Sequence, residues 1–101
     1  MEIFPNAGYA FLRDQAAVDG DRMGGYLAFD FGDIGAGNHG HMDCLSIEFA
    51  SNGRSLIVDP GRYSYNETTL PNLRAAFRST HAHNLVTVDG REQTRYYQGP
   101  K

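Results

Sequence analysis

Three glycine dipeptides constrain this chain more than any other feature. Asp19-Gly20, Asn52-Gly53 and Asp89-Gly90 each separate two short runs rich in aromatic and aliphatic residues. Asn-Gly and Asp-Gly tolerate positive φ at both centres of a two-residue turn, whose twist matches that of paired strands. The flanking runs are 9–13 with 25–31, 43–49 with 55–58, and 85–88 with 93–97. Three such hairpins predict an antiparallel, all-β fold. A length of 101 residues suits one domain with a core and not two. Segment 66–80 is the only helical candidate, with Pro71 starting a short turn that carries Leu73, Ala76 and Phe77.

Run 43–49 alternates. Leu45, Ile47 and Phe49 share one face, and Cys44, Ser46 and Glu48 share the other. Continued backwards without a bulge at Gly40, this pattern puts His39, His41 and Asp43 on the side of Leu45, at the end of an inward-looking face. Cys44 then reads as a small buried hydrophobe within the strand. Being the single cysteine, it excludes an internal disulfide.

All four histidines fall in two H-x-H segments, His39-Gly40-His41 and His81-Ala82-His83, with Asp59 of an Asp-Pro-Gly turn between them. Residues two apart in an extended segment point to the same side. Imidazoles and a carboxylate from three separate elements suit a Zn²⁺ pocket. On spacing alone, a hydrogen-bonded polar cluster without metal fits these residues as well. His81 reads as solvent-facing or as a support for a neighbouring histidine.

Charge and hydropathy narrow the partners. A net charge of −3 argues against general nucleic-acid affinity. No apolar run approaches the roughly 20 residues of a membrane helix. The start, Met1-Glu2-Ile3, lacks the features of a secretory leader. Eight Arg against one Lys suit an acidic substrate, and codon bias explains them equally well. The glycine-rich stretch 32–37 is not a phosphate loop, because no strand–loop–helix pattern and no Lys accompany it.

Longer motifs follow one another in a familiar order. They are Gly-Tyr-Ala-x-Leu-Arg at 8–13, His-Gly-His-x-Asp-x-Leu-Ser at 39–46 and Val-Asp-Pro-Gly-x-Tyr at 58–63. Phe-Arg-Ser-Thr-x-Ala-His-Asn at 77–84 and Val-Asp-Gly-Arg-x-Gln at 88–93 complete the series. This succession, across nearly the whole chain, resembles the heparinase II/III-like polysaccharide lyases.

The resemblance implies a parent with an N-terminal α/α toroid domain followed by an antiparallel β-sandwich, of which residues 1–101 would be the first part. It implies a zinc ion held by His41, Asp59 and His83. It makes His39 the catalytic candidate, placed beside the carboxylate of an acidic polysaccharide or oligosaccharide that is cleaved by β-elimination. Arg78 becomes a contact for a uronate or sulfate, or else a partner of Asp43 or Glu67. Tyr65 and Tyr63 become candidates for substrate contact or proton transfer, and Asp43 a support for a histidine. The family's main catalytic tyrosine belongs to the toroid, so the isolated chain is expected to be inactive. The parent is expected to be periplasmic or secreted in a bacterium. Two other readings stand beside the lyase. One is a non-catalytic carbohydrate-binding or structural β-domain. The other is a cupin-like metal barrel, in which the Asp-Pro-Gly and Phe-Arg-Ser-Thr segments have no place.

Overall fold

The computed structural model describes residues 1–14, 24–35, 39–66, 68 and 70–95. Five strands form one antiparallel meander in chain order: β1 (Glu2–Phe4), β2 (Tyr9–Arg13), β3 (Tyr26–Asp30), β4 (Ile47–Ser51) and β5 (Arg54–Ile57). The expected all-β antiparallel class is therefore what forms. The described residues make a single sheet, and the second layer of a sandwich is not among them.

The hairpin signals succeed to different degrees. β2 and β3 pair from Tyr9↔Asp30 to Arg13↔Tyr26, while the Asp19-Gly20 turn lies outside the described residues. At the β4–β5 turn, Asn52 and Gly53 take φ of 50° and 73°, as a two-residue turn of this kind requires. At the third site, Asp89 and Gly90 also turn at positive φ, but among the described residues only one bridge forms, Val88↔Arg91. The reason is competition for Gln93. Its backbone N–H donates to the Thr80 hydroxyl (3.0 Å), and its side-chain amide both accepts from and donates to the Cys44 backbone (3.1 and 2.6 Å). β1 is absent from the sequence expectations. It forms because Pro5-Asn6 turns the chain, with Gly8 N–H donating to the Phe4 carbonyl (2.9 Å), and lays Ile3 opposite Ala10.

The expected strand 43–49 is shorter than its alternation suggested. β4 begins at Ile47, and residues 43–46 form a turn in which Ser46 N–H donates to the Asp43 carbonyl (2.9 Å). Leu45 sits at φ 71° and is exposed. The side-chain alternation therefore cannot be carried back through it. Cys44 lies in the turn, half-buried, rather than inside a strand.

Pairing Ala28↔Glu48 and Tyr9↔Asp30 gives one polar face, and Leu27↔Phe49, Phe29↔Ile47 and Ala10↔Phe29 give an apolar one. The polar face, not the face of Ile47 and Phe49, carries the histidine site. Among the described residues the fully buried hydrophobics are only Ala10 and Met42, whereas Thr80, Arg74, Arg78, Ser46 and His83 are all buried. The most enclosed part of the molecule is thus a polar junction.

That junction is made by the only α-helix of the described residues, α1 (Leu73–Arg78). It starts two residues after Pro71, because the Asn72 side chain caps it by accepting from Ala75 N–H (3.0 Å). A 3-10 turn over Thr80–Ala82 follows and delivers His83. Glu92 clamps this turn, accepting from the Ser79 hydroxyl (2.5 Å) and from Thr80 N–H (2.6 Å).

Candidate metal centre and cleft

The H-x-H segment 39–41 is held from below by Arg78. Its Nε donates to the Gly40 carbonyl (2.8 Å), and its own carbonyl accepts from Met42 N–H (3.0 Å). Gly40 is the one residue that fits there, since a Cβ would lie 1.6 Å from the Ile34 carbonyl oxygen. Arg78 is 5 % exposed. Its contacts place it inside the loop support.

Asp59 enters from the other side. Its Oδ1 accepts from Gly61 N–H (2.7 Å), so the Asp-Pro-Gly segment closes on its own carboxylate with Gly61 at φ 61°. Oδ2 lies 2.5 Å from Nδ1 of His83. Asn84 ties the two segments together by donating to the Val58 carbonyl (2.6 Å), while its own carbonyl accepts from Ile47 N–H (3.3 Å) at the start of β4.

His41, Asp43 and His83 each offer a ligand atom, and these atoms lie within 4.8 Å of one another. The rings of His41 and His83 are 5.3 Å apart. The His83 side chain is fully enclosed, and its buried Nε2 has no hydrogen-bond partner among the described residues. An orphaned imidazole nitrogen beside a second imidazole and two carboxylates is the donor chemistry of a divalent-metal site. The chain's residues therefore fit such an ion.

The electrostatics agree. Burial pushes the His41 pKa down, with His83 and Arg62 adding to the shift and Asp43 and Asp59 opposing it. Its neutral, ligating form is therefore favoured. Burial pushes Asp43 up, against the pull of the two histidines. Tyr9 is raised by burial and then by Asp30.

These groups line an open cleft of about 510 Å³ whose walls include Tyr9, His39, His41, Asp43, Asp59 and Arg62. His39 is exposed, with its ring edge against Tyr65 at 5.7 Å. Tyr65 is exposed as well, and its carbonyl accepts from Arg74 Nη1 (3.1 Å). Tyr63 packs on Phe77 of α1 at 5.4 Å between ring centroids. His81 is exposed in the 3-10 turn and is not part of the cluster. Sequence reasoning brought His39, His41, Asp59 and His83 to this region, with Asp43 as a support for a histidine, but passed over Arg62 and Tyr9. Asp43 had a signal, its place two residues after His41. Arg62 stands at the variable position of Val-Asp-Pro-Gly-x-Tyr and had none.

The fold is an antiparallel meander that carries at its polar face a group of His and Asp side chains able to hold a metal ion. The chain belongs to the heparinase II/III-like C-terminal family, whose model matches residues 1–101. No match was found among curated proteins or solved structures. The family points to polysaccharide lyases.

Proposed function

We propose that this chain is part of a lyase that cleaves a uronic-acid-containing polysaccharide or oligosaccharide by β-elimination, with zinc organising the site. In this reading residues 1–101 are the first part of a β-sandwich that works against an α/α toroid domain of the same parent chain. The parent acts outside the cytoplasm, in the periplasm or beyond. The observation that carries the reading is the convergence of His41, His83, Asp43 and Asp59 at the wall of a cleft that His39 also lines, in a chain of this family.

The family resemblance makes His41, Asp59 and His83 the ligands; the ligand atoms that come within 4.8 Å of one another are those of His41, Asp43 and His83, so Asp43 would share or take the carboxylate place while Asp59 holds Nδ1 of His83. With Nδ1 paired to Asp59 and Nε2 without a partner among the described residues, His83 would offer Nε2 to an ion. When bound, zinc supplies a fixed positive charge that draws the two H-x-H segments and the Asp-Pro-Gly turn into one wall.

In β-elimination a base takes the C5 proton of a uronate, the C4–O4 bond of the same ring breaks as a C4–C5 double bond forms, and an acid protonates the oxygen that leaves with the neighbouring sugar. Negative charge grows on the uronate carboxylate as the C–H bond breaks, so a donor beside that carboxylate lowers the barrier. His39 is the group in the cleft suited to this, as a hydrogen-bond donor or as a cation. The enclosed positions of Arg78 and the ring contacts of Tyr65 favour supporting roles for both, in the loop and beside His39.

The test uses the parent protein on alginate and glycosaminoglycans, following the absorbance of the unsaturated uronate near 232 nm. A rise that His39→Ala abolishes is the expected result. No rise on any uronate polymer would sink the lyase reading.

A further inference from the structure

Arg62 has no role in the motifs, yet it holds a central place in the cleft. Its Nη2 lies 3.4 Å from His39 Nδ1 and 3.5 Å from the His39 carbonyl. Its Cζ sits 3.8 Å above the centre of the Tyr65 ring. Tyr65 is itself fixed, through its carbonyl to Arg74 and through a T-shaped ring contact with His39. A guanidinium stacked by its face keeps its N–H edges available for a planar anion. Arg62 remains half-buried at the cleft wall, and no carboxylate pairs with it among the described residues, although Asp43 and Asp59 line the same cleft. Arginine only donates, so the His39 nitrogen facing it must accept. In the neutral ring the proton then lies on Nε2.

We propose that Arg62 is the anion-recognition residue of this cleft: its guanidinium edge receives the carboxylate of a uronate sugar, and its contact with Nδ1 fixes His39 as the Nε2–H tautomer. The inference rests on the reading of the cleft as an acidic-sugar site. It adds the residue that selects for acid and sets the hydrogen-bond donor that His39 presents.

The experiment measures binding of tetramannuronate and of its neutral, carboxyl-reduced counterpart to the zinc-supplemented chain, for wild type, Arg62→Gln and Arg62→Lys. Nitrogen-15 shifts of the His39 ring are read in the same samples. Wild type should prefer the acidic sugar. Arg62→Gln should weaken that binding about ten- to a hundredfold, the worth of a charge-assisted contact, and leave the neutral sugar unaffected. Arg62→Lys keeps the charge without the stacked fork and should fall between the two. The His39 shifts should report Nε2–H in wild type and a mixture of tautomers in Arg62→Gln, with the amide spectrum of each variant confirming its fold. Acidic-sugar binding unchanged in Arg62→Gln, or an unchanged tautomer, overturns the proposal for Arg62 alone. A wild-type protein that binds neither sugar, as this chain and as the parent, overturns both this and the sugar-site reading.

Discussion

Oδ2 of Asp59 and Nδ1 of His83 stand 2.5 Å apart, joining residues 24 positions distant in sequence through a fully enclosed imidazole. The pair fixes the ring of His83 and leaves its Nε2 buried without a hydrogen-bond partner among the described residues. An unpaired buried nitrogen costs about 1–3 kcal/mol, so the cluster is completed by a ligand or remains a weak point in the fold.

Metal binding should therefore stabilise the chain. Zinc at a hundredfold excess over its dissociation constant adds about 2.7 kcal/mol to unfolding, visible as a higher melting temperature that a chelator reverses. His41→Ala and His83→Ala should each abolish the shift. Comparing Asp59→Asn with Asp43→Asn assigns the carboxylate ligand, since loss of a true ligand removes metal from the purified chain while loss of a neighbour only weakens it. Equal, near-zero zinc in every sample would dispose of the metal site.

Acid should weaken the metal-free chain through His41. Its folded pKa lies below the ordinary histidine value near 6.5. The unfolded chain therefore takes up the proton first, and stability is lost as pH falls from about 6.5 through the lowered folded value. Denaturant midpoints measured with chelator across this range should decline in wild type and flatten in His41→Gln. A slope unaltered in the variant would assign the decline to another group.

Glu92 acts in a lower range. Its limited burial raises its pKa, but hydrogen bonds from the Ser79 hydroxyl and Thr80 N–H outweigh that and leave it lowered. A depressed carboxylate stabilises the fold above its unfolded value near 4.3 and loses that contribution as pH drops through the folded value. Glu92→Gln should show a smaller loss of stability between about pH 5 and 3 than wild type. If acid unfolding of the two superimposes, the clamp contributes nothing.

Gly40 and Arg78 test the loop that carries both His39 and His41. Any side chain at 40 meets the Ile34 carbonyl, which is backbone and cannot swing away. Gly40→Ala should cost about 3 kcal/mol and also disturb metal binding. Arg78→Ala removes the donor to the Gly40 carbonyl and empties a buried position, with a loss of about 2–4 kcal/mol. Thermal melts of both variants decide the matter; a melting temperature within a degree of wild type in either would contradict the support described for this loop.

The sequence announced the strands where turn chemistry and pattern agreed. Asn52-Gly53 and the paired runs around it could be read directly, because positive φ and alternation are local properties. The alternation through Leu45 misled for the opposite reason: a turn at 43–46 resets which face each side chain takes, and nothing local marks a leucine for φ 71°. In the described part of the third hairpin the ladder stops after one bridge, because Gln93 is claimed by Thr80 and Cys44, partners 13 and 49 residues away. His39, His41, His83 and Asp59 could be picked out together, because few residue types ligate metals, whereas the spacing also offered His81, which lies outside the cluster. Arg62 could not, because its meaning comes from stacking on Tyr65 and facing His39, contacts that only folding creates.

The two-way grip of Gln93 on the Cys44 backbone has a consequence for how this domain tolerates change. One carboxamide stands in for a rung of sheet and moors the late segment to the residue beside Asp43. Disturbance near position 93 is therefore felt at the histidine cluster, and a cut just ahead of Glu92 would set adrift both the 3-10 turn and the approach to β4.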